Sequence, residues 1–157
     1  MLSILSAVVW VDFFTILLSK YYPLGHSLNK WYSEFGVFAI VSDCLVIVLG
    51  ILLAKMIFPD ATGWNLVLFA VLIQIVHDVL FYVLVIRPLP TGTNKMIDLF
   101  KEYAAENTWK ILPYDSFMMA STVLLADVLE EYGLQEQSFA GLLGVYAMTY
   151  ITFTKNL

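Results

Sequence analysis

Cysteine, positive charge and hydrophilic length are what this chain has least of. One cysteine, Cys44, stands among 157 residues, which excludes an internal disulfide and any paired-cysteine metal or redox motif. Eight lysines and arginines face thirteen aspartates and glutamates, a net charge of −5. No basic run is present to follow a phosphate backbone, so nucleic acid is not expected as a partner. Charged residues make up 13% of the chain, about half the roughly 25% of soluble domains. The N-terminal MLSILSAVVWVDFF lacks the basic n-region and small-residue cleavage site of a signal peptide and reads instead as a first span. Nucleophile elbow, HExxH, glycine-rich phosphate loop and clustered-histidine motifs are all missing, so no enzyme class is indicated. No lysine sits deep in an apolar run where a retinal Schiff base would need it, Lys55 being close to an end. No TVGYG-like selectivity filter occurs either.

What the chain does have is apolar length. Hydrophobic residues make up 61% and the mean hydropathy is +0.82. A soluble fold of this size could not cover that surface, so lipid is the expected solvent for its exterior. The expectation is an all-α, polytopic transmembrane bundle forming a single integral membrane domain over residues 1–157. Spans are predicted at 2–19, 36–58, 64–86, 114–129 and, more weakly, 138–153. The alternative is four spans with the last segment lying at the interface. Lys20, Tyr21 and Tyr22 close the first span, and Pro23-Leu24-Gly25 breaks the helix before a polar, aromatic connection, HSLNKWYSEF. Pro59-Asp60-Ala61-Thr62-Gly63 makes a tight turn, and Arg87-Pro88 ends the third span. Within the long hydrophilic segment, residues 95–106 place Met96, Leu99, Phe100 and Tyr103 on one face and Lys101, Glu102 and Glu106 away from it. That spacing suits a helix lying on the membrane surface, with an ordinary solvated connecting helix as the alternative.

Five spans put Lys20, Lys30, Arg87, Lys95, Lys101, Lys110 and Lys155 on one side and Lys55 on the other. The positive-inside rule then predicts an outer N-terminus and a cytoplasmic C-terminus. A parallel internal repeat is also suggested, residues 1–58 against 64–129. Asp12, FFTILLS, Lys20, Pro23-Leu24, Gly25 and Asn29-Lys30 recur in order as Asp78, VLFYVLVI, Arg87, Pro88-Leu89, Gly92 and Asn94-Lys95. The competing explanation is that any span ending inside collects a basic residue and a Pro/Gly turn.

The polar residues inside the spans carry the functional expectation. Counting from the inner boundary at about 1.5 Å per residue puts Asp12, Asp43 and Asp78 at a similar depth, roughly 10–13 Å in. Gln74, His77 and Asp78 share one helical face, Cys44 adjoins Asp43, Asp115 opens the fourth span, and Tyr150 reaches the same zone from the fifth. Carboxyl groups at that depth are costly unless they cluster, share protons or hold a cation. The expected function is therefore proton or small-cation transport through an Asp12, Asp43, Gln74, His77, Asp78, Asp115 and Tyr150 cluster, without a cofactor beyond a bound cation. His77, Asp78 and Asp43 are the residues that would ligate a metal, were one held. Two alternatives stand beside it: a scaffold whose buried acids fix helix register, and a lipid-modifying enzyme with His77 and Asp78 as acid–base pair. Cys44 is read as a small apolar filler. Small-residue stripes, Ala39, Gly50 and Ala54 on one helix and Ala140, Gly144 and Ala147 on another, favour close helix packing. Lipid and further copies of the chain in a homo-oligomer are the expected partners.

The segments PLGHSLNKWYSEFG, VSDCLVIVLG, QIVHDVLFYVLV and GTNKMIDLFKEYA resemble those of small multi-pass proteins encoded by large DNA viruses of algae and protists. The resemblance implies a virion or host membrane as location and assigns no activity or catalytic residue.

Overall fold

The computed structural model describes residues 1–22 and 26–155; the expected break at Pro23-Leu24-Gly25 lies outside them. The helices are α1 (Leu2–Tyr21), α2 (His26–Phe35), α3 (Val37–Ile57), α4 (Gly63–Phe81), α5 (Lys95–Asn107), α6 (Ile111–Glu130) and α7 (Leu134–Ile151). A π turn over Tyr82–Ile86 prolongs α4, and a 3-10 turn over Thr108–Lys110 joins α5 to α6. No strand occurs among the described residues. Four segments are long and apolar enough to cross a membrane: α1, α3, α4 with its π turn, and the Lys95–Glu130 segment that includes α6. The chain is thus an all-α protein of the multi-pass membrane type.

α1, α3, α4 and α6 form a ring in which each helix packs against the next in sequence and α6 closes onto α1. Neighbours in the ring run antiparallel. Ser3 at the start of α1 donates to Glu130 at the end of α6 (2.9 Å), and Phe58 after α3 stacks on Phe69 near the start of α4 (3.8 Å). α7 stands outside the ring, parallel to α1. Ser6 Oγ donates to the Gln137 carbonyl (2.8 Å) and Trp10 Nε1 to the Ala140 carbonyl (2.9 Å). A Cβ on Gly141 would stand 2.6 Å from Ser6 Oγ, so glycine is what lets the two backbones approach. Trp10, too deep to be an interfacial anchor, is explained by this bond. The fifth apolar segment therefore lies along α1, but it is not among the four segments long and apolar enough to cross a membrane.

The ring helices are apolar on both faces, as lipid-immersed helices are. On α3, Val41, Leu45, Leu49 and Leu53 face outward while Ala39, Ile47, Ile51 and Ala54 are buried. Trp64, Leu68, Leu72 and Val76 form the matching outward line on α4. Inside, one core fills the half of the bundle around Ile4, Ala54, Leu66, Met119 and Val123. A second core gathers Ile16, Trp31, Tyr32, Ala39 and Leu99 under α2 and α5, which cross the same end of the ring as a cap.

The cap follows from local sequence. HSLNKWYSEF, expected as a connection, folds as helix α2 because Ser27, Trp31 and Tyr32 fall on one side and are buried, with Ser33 and Glu34 outward. Asn94 caps α5, its side chain accepting from the backbone N–H groups of Met96 and Ile97 (2.9 and 3.3 Å). α5 then reaches across α2. Glu106 accepts from the backbone N–H groups of His26 and Ser27 (2.7 and 2.9 Å), and Lys30 pairs with Glu102 (2.8 Å).

Each half of the ring thus has the order long helix, short cap helix, long helix. The short-to-long joint repeats as well: Gly36 has φ 51 and ψ −120, and Thr108 has φ 51 and ψ −124. Glycine adopts this backbone without a steric penalty, whereas a β-branched threonine is strained there. Replacing Thr108 by glycine is expected to raise the thermal midpoint in detergent. Strain of about 1–3 kcal/mol is relieved against about 0.5–1 kcal/mol of added chain entropy, for a net gain of about 1 kcal/mol. A lower midpoint in Thr108→Gly would show that the turn is not strained.

Candidate functional site

The site is built where the cap meets the ring. Asp12 on α1 is fully buried and Asp43 on α3 comes beside it, as the depth count anticipates. Tyr32 of α2 reaches down between them, its hydroxyl 3.2 Å from Asp12 Oδ1 and 2.9 Å from Asp43 Oδ2. Trp31 Nε1 donates to both Asp43 oxygens (3.2 and 3.0 Å), and the Cys44 thiol lies 3.8 Å from Asp12 Oδ2. Burial first, then the charges of Asp43 and Asp12, push the Tyr32 pKa well above its ordinary value, so this hydroxyl serves as a donor. It has one proton for two acceptors, and the carboxyl pair is knit to the cap through it.

On the other side of Asp43 opens a cavity of about 990 Å³, bounded by α3, α4 and α6 and roofed by α2 and α5. Asp43, Gln74, His77, Asp78 and Asp115 all contribute to its wall. On α4, Gln74 Nε2 donates to Asp78 Oδ1 (2.7 Å), and His77 Nδ1 stands 3.1 Å from the same oxygen. Asp78 Oδ2 and Gln74 Oε1 are buried with no hydrogen-bond partner. The π turn widens the end of α4, its Arg87 N–H reaching back to the Tyr82 carbonyl (2.9 Å), and Tyr82 and Ile86 both line the cavity.

An arc of rings joins the two acidic walls. Trp31, bonded to Asp43, lies 4.8 Å from Phe100 between centroids; Phe100 lies 6.0 Å from Phe81, and Phe81 stacks on His77 at 5.7 Å. The remaining lining is largely aliphatic and aromatic, and no lysine or arginine contributes to it. Beyond Gln74 the bundle is closed by Ile51, Ala54, Leu66, Ala70, Met119 and Val123. The cavity is therefore closed on that side and does not run through the ring.

The residues expected to act together are distributed as follows. Asp43, Gln74, His77, Asp78 and Asp115 share the cavity, and Asp12 lies behind it, joined through Tyr32. Tyr150 does not take part: it is exposed on α7, and its hydroxyl meets only that of Tyr146 (3.3 Å). The helix that carries it, α7, packs outside the ring along α1. Among the described residues, no group of three or more histidine, cysteine, aspartate and glutamate side chains is placed to hold a metal ion. His77, Asp78 and Asp43 thus line one cavity without forming a ligand set. The residues that sequence reasoning passed over are Trp31 and Tyr32, whose helical spacing with Ser27 and Leu28 was the available signal.

Chemically, the arrangement offers acceptors and a histidine–carboxylate pair open to the cavity, the His77 side chain being 45% exposed. No family model matches the chain, and no curated protein or solved structure matches it.

Proposed function

We propose that this multi-pass membrane protein binds an amphiphile drawn from the bilayer in its cap-end cavity. The observation that carries the assignment is the cavity itself: about 990 Å³, at the upper end of the roughly 300–1,000 Å³ usual for small-molecule sites. It combines a long apolar and aromatic lining with polar groups concentrated at Asp43, Gln74, His77, Asp78 and Asp115. A chain-bearing molecule would lay its apolar part along the rings and its polar group against the acids. Photolabelling with a diazirine-bearing alkyl amphiphile tests the assignment through the position of the label.

The basic residues of the cap end, Lys30, Arg87, Lys95, Lys101 and Lys110 among them, support a cytoplasmic cap and an outer N-terminus. Chemistry on the bound amphiphile would fall to the His77–Asp78 pair. Proton or small-cation passage, the expectation from carboxyl depth alone, has the shared acidic wall in its favour. It would require a second arrangement of the ring, because the outer half is filled by the Ile51, Met119 and Val123 core. The matching order of α1–α2–α3 and α4–α5–α6, with the same backbone turn at Gly36 and Thr108, supports an origin by duplication. Formation of a homo-oligomer would use some of the outward apolar faces that otherwise meet lipid.

A further inference from the structure

Resting on the assignment of the cavity to an amphiphile, we infer that its ligand is a long-chain primary ammonium, a single-chain lipophilic amine. The polar part of the wall holds three carboxyl groups, from Asp43, Asp78 and Asp115, against one imidazole, His77, and no lysine or arginine. An anionic head group would face repulsion without a counter-charge. Two basic residues of the cap end are engaged elsewhere. Lys101 Nζ is bonded to the Leu89 carbonyl, and Arg87 lines a separate small recess beyond Tyr82 and Ala104.

Two further observations specify the head group. The atoms left unsatisfied beside the cavity are both acceptors, Gln74 Oε1 and Asp78 Oδ2, and Gln74 is only 3% exposed. Buried acceptors without partners call for a donor, and Gln74 and Asp78 both belong to the cavity wall. A protonated primary amine brings three N–H donors and a positive charge; a neutral alcohol brings one donor, and a quaternary ammonium brings none. The second observation is the aromatic arc Trp31–Phe100–Phe81–His77, which runs between Asp43 and Asp78. Ring faces beside carboxylates attract an ammonium through the ring quadrupole, most strongly where water is excluded. The cavity's length of apolar lining then takes a single alkyl chain.

The test is competition binding on the full chain in neutral-lipid nanodiscs, with radiolabelled hexadecylamine as the probe. Hexadecyltrimethylammonium, hexadecanol and hexadecanoate are the competitors. Hexadecylamine is expected to bind saturably and to be displaced best by itself, with hexadecanol and hexadecanoate weaker by about tenfold or more. Asp78→Asn is expected to weaken hexadecylamine by about tenfold while leaving hexadecanol unchanged. Asp115→Asn, farther from the Gln74 bond, carries the same direction should Asp78→Asn fail to fold. Equal binding of alcohol, acid and amine would overturn the ammonium assignment and leave the amphiphile cavity standing. Absence of saturable binding by every member of the series would overturn both.

Discussion

Replacing Tyr32 by phenylalanine is expected to cost the folded protein about 3 kcal/mol, although the ring and its packing are retained. The hydroxyl is the one donor within reach of both Asp12 and Asp43, at 3.2 and 2.9 Å. A buried polar group left without its hydrogen-bond partner costs about 1–3 kcal/mol, more where the group is charged. Asp43 keeps the Trp31 N–H after the substitution, but Asp12, fully buried, keeps only the weak Cys44 thiol. The loss should therefore fall mainly on Asp12. A double-mutant cycle locates it: Tyr32→Phe combined with Asp12→Leu should cost less than the sum of the two changes, with a coupling of about 1–3 kcal/mol. Thermal unfolding in detergent measures the series. Additive costs, or a loss below about 0.5 kcal/mol for Tyr32→Phe, would show that the hydroxyl does not knit cap to ring.

Filling the cavity from its roof should separate binding from stability. Ala104 on α5 lines the cavity and is half-buried, and it belongs to neither packed core. An indole at that position projects into open space and leaves the ring helices their contacts, so Ala104→Trp should shift stability by less than about 1 kcal/mol. The volume it occupies is volume the alkyl chain needs, and amphiphile affinity is expected to fall by about tenfold or more. Unchanged affinity in a normally folded Ala104→Trp would place the ligand elsewhere.

These two expectations depend on features with different visibility in the sequence. The ring could be anticipated because Leu2–Tyr21, Val37–Ile57 and Gly63–Ile86 are long apolar stretches with few charges. Which face of each helix turns inward could not, because Leu45 and Leu49 on the lipid side of α3 are as apolar as Ile47 and Ile51 on the inside. Depth was legible by counting residues at about 1.5 Å each, and it brought Asp12 beside Asp43 and Asp78 into the same layer. Rotation about the bundle was not. Tyr150 sits on the wrong helix, since the Ser6 and Trp10 bonds draw α7 to the outside of α1. The cavity itself was hidden for a related reason. It exists because α2 is helical over only ten residues, because a π turn widens the end of α4, and because Asn94 and Thr108 set the course of α5. None of these is an apolar periodicity, and short amphipathic helices are the elements single-sequence patterns resolve least well.

The position of a photolabel tests the central claim most directly. The full chain in nanodiscs would be irradiated with a diazirine-bearing hexadecylamine, with and without excess unlabelled hexadecylamine, and the modified residues identified by peptide mass spectrometry. Saturable labelling, suppressed by competitor, is predicted on the buried cavity-lining residues Ile47 and Leu99 and on the half-buried Val46 and Phe100 beside them. Labelling confined to the outward stripes, Leu45 and Leu49 on α3 and Leu68 and Leu72 on α4, and insensitive to competitor, would contradict it.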